Sequence, residues 1–140
     1  MTVTGPGGTL DGNKEVAVRF LGHFWAGELE AALALAAPDA VFVNTRSLAE
    51  QRRVPLHQAL SWIIGDLFSR FVPPGRFDVR IRNALADGDQ VMVEYSASGR
   101  LDNGRDYAND YVMAFTFRDG QVAEQRVHTD TQHLARLFGP

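Results

Sequence analysis

Three Asx–Gly pairs, Asp87-Gly88, Asn103-Gly104 and Asp119-Gly120, stand at even intervals in the second half of the chain, and between them apolar and polar residues alternate with a period of two. Both residues of such a pair tolerate the left-handed backbone that tight hairpin turns demand, so the pairs mark antiparallel connections. Strands near 76–86, 89–101, 105–117 and 121–129 follow, joined as a meander. A meander with one apolar face cannot stand alone in water, and the rest of the chain must cover it.

The cover is helical. Past Asn13, which reads as an N-cap, Val16, Phe20 and Phe24 recur at helical spacing and form one apolar stripe that Gly27 ends. Glu28 to Ala37 is alanine-rich and reads as a second helix stopped by Pro38, after which Ala40 to Asn44 carries the β-branched and aromatic residues of a short strand. Thr45 to Val54 is polar and basic, the composition of a surface loop. Pro55 suits the first turn of a third helix, in which Leu56, Leu60, Ile63, Ile64, Leu67 and Phe71 share one side up to Pro73-Pro74-Gly75. Leu134 to Phe138 closes the chain as a short helix capped by Asp130 or Thr131. The order predicts an α+β fold, with three N-terminal helices packed on a curved antiparallel sheet and a short C-terminal helix. It occupies 14–140 as one domain behind a flexible tail, 1–13, since 140 residues leave no room for a second core.

Composition removes whole classes of function. With 14 basic against 17 acidic side chains and no cluster of lysine or arginine, the chain has nothing with which to track a phosphate backbone, so no nucleic-acid partner is expected. The absence of cysteine excludes disulfides, thiolate nucleophiles and cysteine-ligated metals. His23, His57, His128 and His133 lack the spacing of a helical metal pair, and neither metal nor cofactor is expected. No leader-like or membrane-spanning apolar run is read, which points to a soluble, cytoplasmic protein without a membrane partner.

Tyr107, Asn109 and Tyr111 on one strand, the Asp119-Gly120 turn, Arg126, Asp130-Thr131 and the ending Leu137 to Gly139 together form a pattern. Over residues 14 to 139 the chain resembles the SnoaL-like (polyketide cyclase-like) branch of the NTF2-like superfamily. The resemblance implies a cone-shaped α+β fold, a homodimer that buries the convex face, and an apolar pocket for a small hydrophobic or polycyclic molecule. It also implies cofactor-free general acid/base catalysis on a carbonyl compound, of the polyketide cyclase, isomerase or dehydratase (lyase) type. The alternative is a non-catalytic small-molecule-binding or accessory domain. Steroid isomerases of this superfamily place a general-base Asp where this chain has Asn44, an oxyanion-binding Tyr where it has Phe20, and a protonated Asp where it has Met113. That machinery is missing here.

Counting from a two-residue turn at Asn103-Gly104 pairs Ser98 with Asn109, Ser96 with Tyr111, Glu94 with Met113 and Met92 with Phe115. The comparison with steroid isomerases turns this face toward the cavity, where Glu94 would be a desolvated carboxylate suited to proton transfer; the alternative is a solvated strand residue on the outer face. The last strand has two registers. A two-residue Asp119-Gly120 loop brings Arg126, His128 and Asp130 into the pocket, whereas a type I turn with Gly120 as a glycine bulge lines it with Gln125, Val127 and Thr129. Asp130 is either an acid/base group, as the family implies, or the cap of the last helix. His128 is either a carboxylate-oriented base or a dimer-interface residue, and His23 lies at the edge of the first helix stripe. The catalytic candidates are therefore Asp130, Glu94, His128, His23 and Tyr111. The substrate-binding candidates are Asn44, Phe20, Phe24, Trp62, Asn109, Met113 and Phe115.

Overall fold

The computed structural model describes residues 2–4, 12–44, 52–73 and 76–139, without the side chains of residues 2–4, Asn44 and Arg52. Helix α1, Gly12–Trp25, buries Ala17, Phe20, Leu21, Phe24 and Trp25 along one side and breaks where Gly27 takes φ +75°. It starts one residue before Asn13, which is therefore inside the helix rather than its cap. Helix α2 is a single turn, Leu29–Leu33, followed directly by strand β2, Ala36–Asn44. The longer helix expected to Ala37 is cut short because the carbonyl of Leu35 accepts the N–H of Val122 at 3.0 Å, which draws the chain onto a sheet edge. Strand β3, Arg52–Pro55, pairs antiparallel with β2 where a loop was expected. Helix α3, Leu56–Trp62, widens into a π-helical turn, Ile63–Leu67, and tightens again at Phe68–Arg70.

Strands β4 (Asp78–Asp87), β5 (Gln90–Arg100), β6 (Asp106–Arg118) and β7 (Gln121–Thr129) form the meander within two residues of the expected bounds. Helix α4, Thr131–Phe138, closes the described chain. Two helices precede β2 and the third lies between β3 and β4, rather than all three at the N-terminus. The sheet is mixed, not wholly antiparallel. In the order β1-β4-β5-β6-β7-β2-β3, β2 runs parallel to β7, and β1 (Thr2–Thr4) runs parallel to β4. Part of the expected tail is thus a strand, while residues 1 and 5–11 lie outside the described residues.

Turn chemistry sets which side chains face inward. At the β5–β6 turn, Gly104 takes φ +86°, its N–H donates to the Leu101 carbonyl at 3.0 Å, and Leu101 N–H donates to Arg105 at 2.9 Å. This is a three-residue loop with a glycine bulge, not the two-residue turn counted above. The register moves by one: Tyr95 faces Tyr111, Val93 faces Met113, and Glu94 pairs with Val112 on the outer face. The Asp119-Gly120 turn does have two residues, both left-handed at φ +53° and +76°, but an extra residue at Ala123 shifts the pairing beyond it. Met113 therefore pairs with Val127 and Tyr111 with Thr129, the register expected from a bulge at Gly120 but reached through one at Ala123, which neither expected alternative contains. This bulge and one at Arg82 curl the sheet around α1, whose Phe20 packs edge-on against Phe115 at 5.5 Å.

Candidate functional site

Curling the sheet and leaning α3 and α4 against its open end leaves a cavity of about 730 Å³. Aromatic side chains dominate its inner end. Trp25 and Phe68 stack at 5.1 Å, and Tyr95 and Tyr111 stack at 5.0 Å with their rings 8° apart. Phe24, Phe42, Ile63, Leu67, Met113, Val127 and Leu134 complete the apolar wall, while Gln58, Ala59 and Trp62 form its α3 side beside Val54 of β3. The π-helical turn directs Ile63 and Leu67 inward, and Trp62 is left 60% exposed.

The polar groups of the lining are few and neutral. Trp25 donates its Nε1–H to the hydroxyl of Tyr95 at 3.1 Å, and the hydroxyls of Tyr107 and Tyr111 are hydrogen-bonded to each other. Burial pushes the Tyr95 hydroxyl well above the ordinary tyrosine range; Tyr111 adds to the shift and the bond from Trp25 opposes it. Burial likewise raises Tyr111, with a hydrogen bond to Thr129 acting the other way. Both phenols therefore stay protonated as donors at any physiological pH. Gln58, Thr129, Thr131 and the Trp62 indole N–H supply the remaining side-chain polar groups, and among the described lining residues there is no Asp, Glu, His, Lys or Arg. No group of three metal-ligating side chains comes together among the described residues.

The catalytic candidates are accordingly scattered. Only Tyr111 lines the cavity. Glu94 is exposed on the outer face, because the glycine bulge at Gly104 inverts the face of β5 that turn counting assigned to the pocket. His128 is exposed on that same outer face, as the bulged register requires. Asp130 caps α4, accepting the N–H of His133 on Oδ1 at 2.9 Å, and borders an open groove rather than the cavity. His23 sits half-exposed with Nδ1 3.2 Å from Glu28.

Among the binding candidates, Phe24, Trp62 and Met113 line the cavity. Phe20 and Phe115 do not, since each is consumed in packing against the other in the core. Asn109 points inward but its Nδ2 donates to the Asp130 carbonyl at 3.3 Å, tying β6 to the end of β7. The side chain of Asn44 lies outside the described residues.

Tyr95 is the residue that turn counting misses. The signal for it lies in β5 itself: Val91, Val93, Tyr95 and Ala97 are the apolar set of the alternation, and Met92, Glu94, Ser96 and Ser98 the more polar one. Thr131 and Leu134 of α4 are also missed. They reach the cavity because the β5–β6 turn holds α4 down: Asn103 Nδ2 donates to the Leu137 carbonyl at 2.9 Å, and Arg105 Nη1 to that of Gly139 at 3.0 Å.

Residues 17–125 match the SnoaL-like domain family. No curated protein matches the chain in sequence. Among solved structures, a Jannaschia sp. CCS1 protein with the provisional name SnoaL-like polyketide cyclase is 21% identical, with a TM-score of 0.77 over 96% of this chain and 99% of that one. TerC, co-crystallised with polyporic acid, is 20% identical, with a TM-score of 0.72 over 89% and 96%. A Catenulispora acidiphila protein with a ketosteroid isomerase-like fold, in complex with trimethylamine, is 14% identical, with a TM-score of 0.71 over 88% and 91%. At these identities the structures establish a shared fold.

Proposed function

The chain belongs to the SnoaL-like domain family, and on that premise we propose that it binds a small, flat, mostly apolar molecule bearing a carbonyl or hydroxyl group. The observation that carries this reading is the lining: aromatic and aliphatic walls around a few neutral hydrogen-bonding groups, with no charged side chain among the described lining residues. Such a site gains affinity from desolvating an apolar ligand and fixes its orientation through the Tyr111, Thr129 and Gln58 side chains. In this reading it is a soluble cytoplasmic protein, and Asp130, Glu94, His128 and His23 are not part of the site.

The second reading, cofactor-free proton chemistry beside a carbonyl, rests on Tyr111. A neutral phenol in a dry cavity can donate to a carbonyl oxygen and stabilise the enolate that forms there, as a cyclase, isomerase or dehydratase requires. No described lining residue supplies a carboxylate or imidazole base, so the binding reading stands first.

Both tryptophans of the chain line the cavity, which makes intrinsic fluorescence a direct reporter. Titration with polyporic acid as probe is expected to give saturable quenching that Ala59→Phe, which fills the α3 side, abolishes. Quenching that is linear in probe, or that survives the filled cavity, refutes the binding reading. Tyr111→Phe separates the two readings: retained binding with lost turnover of a carbonyl probe assigns chemistry to the phenol.

A further inference from the structure

One buried polar side-chain atom among the described residues has no hydrogen-bond partner, the carbonyl oxygen Oε1 of Gln125. Gln125 is 0% exposed, and its amide nitrogen reaches the sulfur of Met113 at 3.3 Å, a weak acceptor. A buried carbonyl left unpaired is uncommon in native proteins, because the desolvation it suffers is not returned by any bond.

The position of this oxygen gives it meaning. Gln125 lies on β7 opposite Phe115 on one side and Phe42 on the other. The next residue of β7 on the same face is Val127, and Val127, Phe42 and Met113 all line the cavity. Gln125 is therefore one pleat repeat, about 6–7 Å along the strand, below the cavity floor. Met113 touches both, as wall of the cavity and as contact of the amide, and an unbranched thioether with three rotatable bonds is the side chain best suited to turn aside.

We propose that Gln125 is the deep polar contact of the ligand: when Met113 turns aside, the amide nitrogen it held is released, the amide rotates about its last side-chain bond, and a hydroxyl or N–H at the leading end of a flat aromatic molecule donates to Gln125 Oε1. This rests on the binding reading above and narrows it to aromatic ligands with a hydrogen-bond donor at one end. A ligand without the donor fills the same space and leaves the carbonyl unpaired, so the site discriminates between near-isosteres.

The matched probes are 2-naphthol and 2-methylnaphthalene, which differ by a hydroxyl against a methyl. Equilibrium dialysis with the full chain is expected to show 2-naphthol bound about tenfold or more tightly, a ratio equivalent to one well-made hydrogen bond. In Gln125→Met, which keeps the length and removes the amide, that ratio is expected to collapse toward one. A ratio that persists in Gln125→Met assigns the hydroxyl to Tyr111 or Thr129 and overturns the proposal. Equal affinities in the wild type overturn it alone and leave the cavity reading standing; binding of neither probe overturns both. Nuclear magnetic resonance of the Gln125 side-chain amide needs no variant. Its signals should move on adding 2-naphthol and not 2-methylnaphthalene, and an unmoved signal with 2-naphthol bound also refutes the assignment.

Discussion

The two stacked phenols tie folding to alkaline pH in a way that can be worked out in advance. Tyr95 is 0% and Tyr111 8% exposed, and burial raises both above the ordinary tyrosine value. In the unfolded chain each loses its proton at about pH 10. For a group whose native pKa is raised, the stabilising contribution is fully present below the unfolded value and is lost as pH climbs toward the native one. Each such tyrosine then withdraws about 1.4 kcal/mol per pH unit between its unfolded and its native value, so the pair withdraws about 3 kcal/mol over the first unit of that climb. That is a large share of the whole stability of an ordinary domain, about 5–15 kcal/mol.

Lys14 is the only lysine of the chain, so besides Tyr107, the third tyrosine, few other side chains titrate in this window. Phenolate absorbance and far-ultraviolet circular dichroism followed together from pH 9 to 12 should therefore change in one cooperative step for these two tyrosines. Tyr95→Phe leaves the Trp25 N–H without its partner and should cost about 1–2 kcal/mol at neutral pH. It also removes one tyrosine's share of the alkaline slope, so its stability curve should cross that of the wild type about one unit above the unfolded-state value, near pH 11. Smooth ionisation of all tyrosines near pH 10 with intact secondary structure would refute the burial argument, and parallel curves would refute the role given to Tyr95.

The remaining expectations are shorter. Asp130→Ala should destabilise by about 1 kcal/mol in urea titrations while Asp130→Asn, which still caps, is near neutral; equal losses would mean the carboxylate does more than cap α4. Gly104→Ala forces a side chain into φ +86° and should cost about 1 kcal/mol or more, with the β5–β6 register at risk. Glu94→Gln should leave ligand affinity unchanged and stability within about 0.5 kcal/mol, and a large loss of binding would restore Glu94 to the site. Sedimentation at micromolar concentration should give a homodimer through the outer sheet face, with Met92, 52% exposed there, as a contact; Met92→Asp should then yield a folded monomer.

The fold was legible where a local signal and a global requirement agreed. The Asx–Gly pairs and the period of two located all four meander strands, and Gly27 ended α1 where a left-handed residue was needed. The helix expected through Ala37 failed because alanine propensity is a weak preference and the carbonyl of Leu35 had a better partner in Val122. The short strands β1 and β3 carry too little pattern to be read from sequence, since each exists only by pairing with a neighbour. The candidate site suffered most from a single residue. The three-residue loop Asp102-Asn103-Gly104 and a two-residue Asn103-Gly104 turn look alike in sequence, and every side chain of β5 changes face between them.

The surroundings of β5 show why the observed register is the lower in energy. With Glu94 inside, a carboxylate would enter an apolar cavity that holds no cation among its described lining residues, and Ser96 and Ser98 would follow it, each needing a partner. With Tyr95 inside, the same strand buries Val91, Val93 and Ala97 and brings a phenol that finds Trp25 as donor and Tyr111 as stacking partner. The register that folds at lower cost is also the one that removes the general base from the pocket. On the binding reading proposed above, a cavity stabilised in this way holds its ligand between aromatic rings and offers it neutral donors. Among the described side chains of the lining, none can take a proton from such a ligand.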